Sequence, residues 1–202
     1  MSETSSSRPL LGVDLDNVLS ASDAAMVEAL ERVTGRSLTA HAASSYEALA
    51  AGMISRDEVA EALEVFHAAE ALGRLDIVPG AVEALQRLSE VYEIHVVTAR
   101  PQSTRVATSS WLDARGMGDV IAGLHFANPA PGAQPLLGQP DGRPGKTELP
   151  IPWSAFVEDH LDTALAFARR GVTSCLLAVP WHAPSGGSGD DSDPDGLVRV
   201  AS

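Results

Sequence analysis

Hydrophobic positions change period several times along this chain, and the changes mark its elements. Residues 10–13 form a short continuous apolar run, the pattern of a strand buried on both faces of a parallel sheet. After it, Ala25, Met26, Ala29, Leu30 and Val33 recur at three- and four-residue spacing, which predicts a helix over residues 22–33. Ser55 followed by Glu58 has the form of a capping box and opens a second helix through Val59, Leu63 and Phe66. Pro79 stands at a helix start ahead of Val82, Leu85 and Leu88.

Beyond residue 77 the pattern alternates. Strands are expected at residues 94–98, 124–127, 154–158 and 173–179, with helices from about Ser103 to Gly116 or Gly118 and from His160 to Arg170, stopped by Gly171. Residues 128–152, rich in Pro and Gly, read as one long loop that either flanks a pocket or decorates the surface. Alternating strands and helices imply an α/β fold, a Rossmann-like parallel sheet with helices on both faces. The helical stretch after the first strand interrupts that alternation. It would stand over the carboxyl ends of the strands, as a small helical cap. The expected division is a tail at 1–8, a core from 9–20 and 77–182, a cap at 21–76 and an acidic tail at 183–202.

Composition narrows the function classes. At 202 residues, 45% hydrophobic and 20% charged, the chain is large enough for one ordinary core without staples. Cys175 is its single cysteine, so no internal disulfide forms, and a reducing cytoplasm is the expected location. No apolar run approaches the roughly 20 residues that cross a bilayer, and the N-terminus lacks the order of a signal peptide. A net charge of −13 argues against a nucleic-acid polymer as partner. It leaves room for a small phosphorylated substrate, since a metal and a few cations can reverse the field of one pocket. Part of the acidity is peripheral: residues 185–196 hold four aspartates and no apolar period, and are expected to be disordered. The chain is expected to act as a monomer or homodimer, with no membrane partner.

Three predicted strand ends carry polar groups: Asp14 with Asp16, then Thr98, then Glu158 with Asp159. In a parallel sheet these ends share one edge. Two carboxylates about 4 Å apart repel by roughly 4 kcal/mol at an effective dielectric near 20. A hard divalent cation removes the difficulty, and carboxylate oxygens are what Mg²⁺ prefers. The bland alternative is that each acid only caps the helix after its strand.

The phrase DLDNV (residues 14–18) resembles the DxDx[TV] nucleophile motif of the haloacid dehalogenase superfamily. VVTARP supplies the threonine of its second motif, GKTEL the lysine of its third, and FVED its terminal acid pair. Within the superfamily, DIVPGAVEALQRLSEVYEIHVVTARP and CLLAVPWH are similar to the 5'(3')-deoxyribonucleotidase group. The resemblance implies a Mg²⁺-dependent phosphomonoester hydrolase acting on nucleoside monophosphates, with a phosphatase for another small metabolite and a silent phospho-ligand binder as the other readings. It implies that Asp14 is the nucleophile and Asp16 the general acid and base. Asp14, Asp16, whose backbone carbonyl would also face the metal, and Asp159 would hold Mg²⁺, with Glu158 as a further or water-mediated ligand. Thr98 and the amides of Leu15, Asp16 and Ala99 would take the phosphoryl oxygens, and Lys146 would balance their charge.

Asp16 also separates reactions, because dehalogenases of the superfamily lack this acid and phosphonate-cleaving members carry a small residue there. Two positions depart from the pattern. Asn17 stands where nucleotidases more often have Gly, a change the turn tolerates. Lys146 precedes Pro150 and Pro152, which leave little room for the helix that usually follows such a lysine. Arg100 and Arg143 are therefore rival cations, Arg100 being expected either on phosphate or substrate or in a surface ion pair. The six histidines lack paired metal-ligand spacing; His160 is placed at a helix start, and His95 and His125 on strands. In the cap, Tyr46, Met53, Phe66 and His67 are candidates for holding a base, or simply cap core.

Overall fold

β1 (Leu10–Asp14) lies inside a six-stranded sheet, which is why its run is apolar at successive positions. The structure is a computed structural model and describes residues 8–38, 48–49, 51–129, 142–177 and 195–200. β2 (Glu93–Thr98), β3 (Ile121–Phe126), β4 (Trp153–Glu158), β5 (Thr173–Leu177) and β6 (Leu197–Val200) complete the sheet in the order β3-β2-β1-β4-β5-β6. Every pairing is parallel. This is a Rossmann-like α/β fold, as the alternation predicts.

Helices cover both faces. On one side α4 (Ala81–Ser89) and α5 (Arg105–Ala114) bury Leu85, Trp111 and Leu112 against Leu11, Val13, Ile94 and Val96. On the other, α6 (Leu161–Ala168) stacks Phe167 on Phe156 of β4 with ring centroids 3.9 Å apart. Phe156 is fully buried, worth on the order of 2 kcal/mol of transfer free energy. Its ring crosses β1 at Gly12, where an added Cβ would lie 2.3 Å from it.

The chain leaves the sheet after Ser20 and returns at Ile77. These two crossing segments are bridged antiparallel, with the Ala21 amide donating to the Asp76 carbonyl at 2.9 Å. Between them lie α1 (Ser22–Thr34), α2 (Arg56–Phe66) and α3 (Ala69–Arg74). Gly35, at φ 66°, closes α1. The Ser55–Glu58 capping box opens α2 with both of its reciprocal hydrogen bonds. Met26 and Leu30 of α1 pack with Leu63 and Phe66 of α2 in the core that continues onto the sheet.

Three expectations differ from the structure. β3 begins at Ile121, before the expected Leu124, because Gly123 masks the strand pattern there. That glycine accommodates a neighbour: a Cβ would lie 2.4 Å from Nδ1 of His95. Residues 197–200, assigned to the acidic tail, form β6 beside β5, and the Ser174 amide donates to the Gly196 carbonyl at 2.7 Å. As an edge strand with exposed Val198 and Val200, β6 has no buried-apolar signature to read. The expected loop 128–152 is partly built. Asn128 and Gly145 form a parallel bridge, followed by one 3₁₀ turn at Lys146–Glu148. The N-terminal seven residues, Tyr46, His41, residues 130–141, the end of the CLLAVPWH phrase and residues 183–194 lie outside the described residues.

Candidate metal and phosphate site

Asp14, Thr98 and Glu158 are the last residues of β1, β2 and β4, adjacent strands that run the same way. The sheet therefore delivers them to one edge. Carboxylate oxygens of Asp14, Glu158 and Asp159 all lie within 4.8 Å of one another, and all three residues are buried. Among the described residues this is the one group of three or more acids, histidines or cysteines so gathered.

Lys146 enters the same space. Its ammonium donates to Asp14 Oδ2 at 2.7 Å and to Glu158 Oε2 at 3.0 Å, and it is itself buried. Its backbone is placed by Asn128, which receives the Lys146 amide on its carbonyl at 2.9 Å. The Asn128 side chain donates to the Arg143 carbonyl at 2.6 Å, and its amide donates to the Pro144 carbonyl at 2.8 Å. A long following helix is unnecessary. A single 3₁₀ turn fits ahead of Pro150, and the Glu148 carboxylate accepts from the Gly145 amide to close it. Asn128 carried no signal in the sequence beyond its place at a strand end.

The electrostatics describe an excess of negative charge. Burial, then Glu158, pushes the Asp14 carboxyl well above the usual range, although Lys146 opposes them. Burial and Asp14 lift Asp159 to about 7. Burial raises Glu158 against the pull of Lys146. Burial alone would weaken the Lys146 ammonium, but Asp14 and Glu158 hold it protonated beyond its ordinary range. Three carboxylates and one ammonium leave two negative charges, which is what a divalent ion neutralises. Oxygen donors, burial and charge thus fit a hard divalent cation.

The Asp16 carboxylate is not among the oxygens of this cluster. Arg100 donates to it twice, Nε to Oδ2 at 3.0 Å and Nη2 to Oδ1 at 2.6 Å. Burial favours the neutral acid, but the guanidinium outweighs it and holds Asp16 below the usual carboxylate range. Arg100 is thus buried rather than at the surface, with Nη1 donating to Thr108 and Nη2 also to Ser20. The Phe66 ring lies 5.9 Å from its guanidinium carbon. His67, held neutral mainly by burial with a pKa near about 4, also feels Asp16 and Arg100.

The remaining expected contacts are close by. The Leu15 amide donates to Asp14 Oδ1 at 2.7 Å, fixing that carboxylate's orientation. Thr98 is fully buried, and its Oγ1 accepts from the Arg100 amide at 3.1 Å, a turn that carries half-buried Ala99. Arg143 donates to the Arg100 carbonyl at 2.7 Å. His160 stands at the N-cap position just before α6, its amide donating to Glu158 Oε1 at 3.2 Å.

Asn17 does more than its sequence position suggests. At φ 60° it takes the left-handed turn after the Asp pair. Its Nδ2 donates to Asp159 Oδ2 at 3.1 Å, while Oδ1 accepts from Ser22 Oγ and from the Asp23 amide. One side chain therefore positions an acid of the cluster and caps the first turn of α1.

The six-stranded parallel sheet with its helices is a fold shared with hydrolases of the haloacid dehalogenase superfamily. A haloacid dehalogenase-like family hydrolase from Streptococcus pneumoniae superposes with a TM-score of 0.59 at 16% identity, covering 96% of this chain and 93% of that one. A superfamily hydrolase of subfamily IA from Geobacter sulfurreducens gives 0.52 at 21% identity, covering 89% and 91%. A superfamily hydrolase from Bacillus subtilis, whose structure holds magnesium, gives 0.52 at 13% identity, covering 85% and 89%. No protein-family model matches the sequence, and no curated protein matches it. At these identities the shared property is the fold. Among the described residues, no helix is long and apolar enough to cross a membrane.

Proposed function

We propose that this chain is a Mg²⁺-dependent phosphomonoester hydrolase working through an aspartyl-phosphate on Asp14. The observation that carries the reading is the buried cluster of Asp14, Glu158 and Asp159 with Lys146 between two of them. Asp14, Glu158 and Asp159 would hold Mg²⁺, which when bound offsets their charge and that of a phosphate group. Asp14 Oδ attacks phosphorus, the ester oxygen departs with the electron pair of the P–O bond, and Asp16, which takes up a proton from water once it leaves Arg100, gives that oxygen a proton. Asp16 then takes a proton from the water that attacks phosphorus and frees Asp14. Lys146 offsets the charge spreading onto the phosphoryl oxygens, and Thr98 donates its hydroxyl proton to one of them.

Two substrate classes follow from the sequence. Nucleoside monophosphates, deoxyribonucleotides above all, rest on the resemblance of residues 76–101 to the deoxyribonucleotidase group. Other small phosphorylated metabolites are the second class, favoured by the Asp16–Arg100 pair discussed below. The decisive experiment measures release of nitrophenol from p-nitrophenyl phosphate, and of phosphate from an ester panel, with Mg²⁺ and with chelator. Mg²⁺-dependent turnover supports the hydrolase. No turnover by the wild-type protein on any ester would favour a phospho-ligand-binding protein instead.

A further inference from the structure

The pair that removes Asp16 from the acid cluster also bears on what the enzyme accepts. Both Asp16 oxygens are engaged by the Arg100 fork, and Oδ1 also receives the Ser20 hydroxyl at 3.1 Å. In that position the fork takes a lone pair of each oxygen and fixes the direction of the carboxylate. Asp16 must turn off Arg100 before it can act.

Turning it off strands a cation. The Arg100 side chain is 1% exposed, whereas that of Asp16 is 22% exposed. Apart from Asp16, the guanidinium meets only neutral hydroxyls of Thr108 and Ser20 and the Phe66 ring among the contacts described. His67 is held neutral by burial and supplies no anion. A buried guanidinium that loses its one carboxylate without replacement is strongly unfavourable. Whatever replaces Asp16 has to enter where Asp16 now stands, since that is the more open side of the pair.

We infer that Arg100 is a substrate-released latch and a specificity determinant: the enzyme prefers phosphomonoesters whose leaving alcohol carries a second anionic group, a carboxylate or another phosphate, that takes over the guanidinium as Asp16 swings to the ester oxygen. This rests on the hydrolase reading above and narrows its substrate to the metabolite class. An ester with a neutral leaving group leaves Asp16 latched or Arg100 stranded, and either slows proton transfer. The preference runs against the protein's overall field, because a net charge of −13 repels an extra anion. A second negative group is therefore favoured only by a local cation.

The test compares kcat/KM for 3-phosphoglycerate and glycerol 3-phosphate, which differ by a carboxylate in place of a hydroxymethyl group, in wild type, Arg100→Gln and Arg100→Lys. Wild type should favour 3-phosphoglycerate by at least about 10²-fold. Arg100→Gln should bring the two within about threefold of each other and gain on glycerol 3-phosphate, since Asp16 no longer leaves a partner. Arg100→Lys, a point charge without the fork, should keep part of the preference. Wild-type turnover of both esters at equal rates, or of deoxynucleoside monophosphates in preference to 3-phosphoglycerate, would overturn the inference and leave the hydrolase standing. So would an undiminished preference in folded Arg100→Gln. Wild-type inactivity on every ester would overturn both.

Discussion

The Lys146 ammonium lies 2.7 Å from the Asp14 carboxylate, and both groups are buried at the carboxyl end of the sheet. A buried lysine so placed can hold an attacking carboxylate in position and offset its charge at once. It also stabilises a cluster that would otherwise be a liability.

Removing that cation has two readouts. Lys146→Met should lower kcat by about 10²–10³-fold, the scale of losing one charge-stabilising donor. It should also destabilise the metal-free protein by roughly 3 kcal/mol, because three buried carboxylates lose their compensating charge. Urea denaturation in chelator measures the second effect, and Mg²⁺ should restore part of it.

The raised carboxyls make metal binding pH-dependent. Asp159, lifted to about 7, keeps its proton at pH 6 and has lost it by pH 8. Mg²⁺ should therefore raise the melting temperature more at pH 8 than at pH 6. In the metal-free protein the unfolded chain gives up this proton first, so Asp159 weakens the fold as pH rises from about 4 to 7. Asp159→Asn should then be more stable than wild type at pH 8, with the gap narrowing as pH falls from about 7 to about 4. Comparing variant and wild type at each pH cancels the buried histidines, whose lowered pKa values act in the opposite direction.

Asn17 is predicted to matter despite its tolerant position. Asn17→Gly keeps the left-handed turn but loses the bonds to Asp159, Ser22 and Asp23. Mg²⁺ affinity should fall by about 10- to 100-fold, the usual effect of losing a partner that orients a ligand. Isothermal titration calorimetry checks it, and unchanged affinity would assign Asn17 to the turn alone.

Gly12 tests the packing under the site. Gly12→Ala places a Cβ 2.3 Å from the Phe156 ring. The variant should lose about 1–3 kcal/mol of stability in chemical denaturation.

The parallel sheet and the strand-end acids were legible in the sequence because each rests on a local pattern. An apolar run bounded by Asp14, or by Glu158 with Asp159, announces both a strand and what it carries. What escaped is non-local. The Asp16–Arg100 pair joins two strand ends through side chains whose direction no spacing encodes. The prolines after Lys146 leave no room for a long helix, and its support comes instead from Asn128, across the chain. β6 went unseen because an exposed edge strand after an acidic run leaves no hydrophobic period.

The central claim is that Asp14 becomes phosphorylated, and trapping tests it most directly. The enzyme would be mixed with Mg²⁺ and a turned-over ester, quenched in acid during turnover, and treated with borohydride, which reduces an acyl phosphate to the alcohol. Peptide mass spectrometry should then find homoserine at position 14 of the wild type and an unmodified peptide in Asp14→Asn, which should have lost about 10³-fold or more in rate. Steady turnover with aspartate unmodified at position 14, or full activity in Asp14→Asn, would contradict the account.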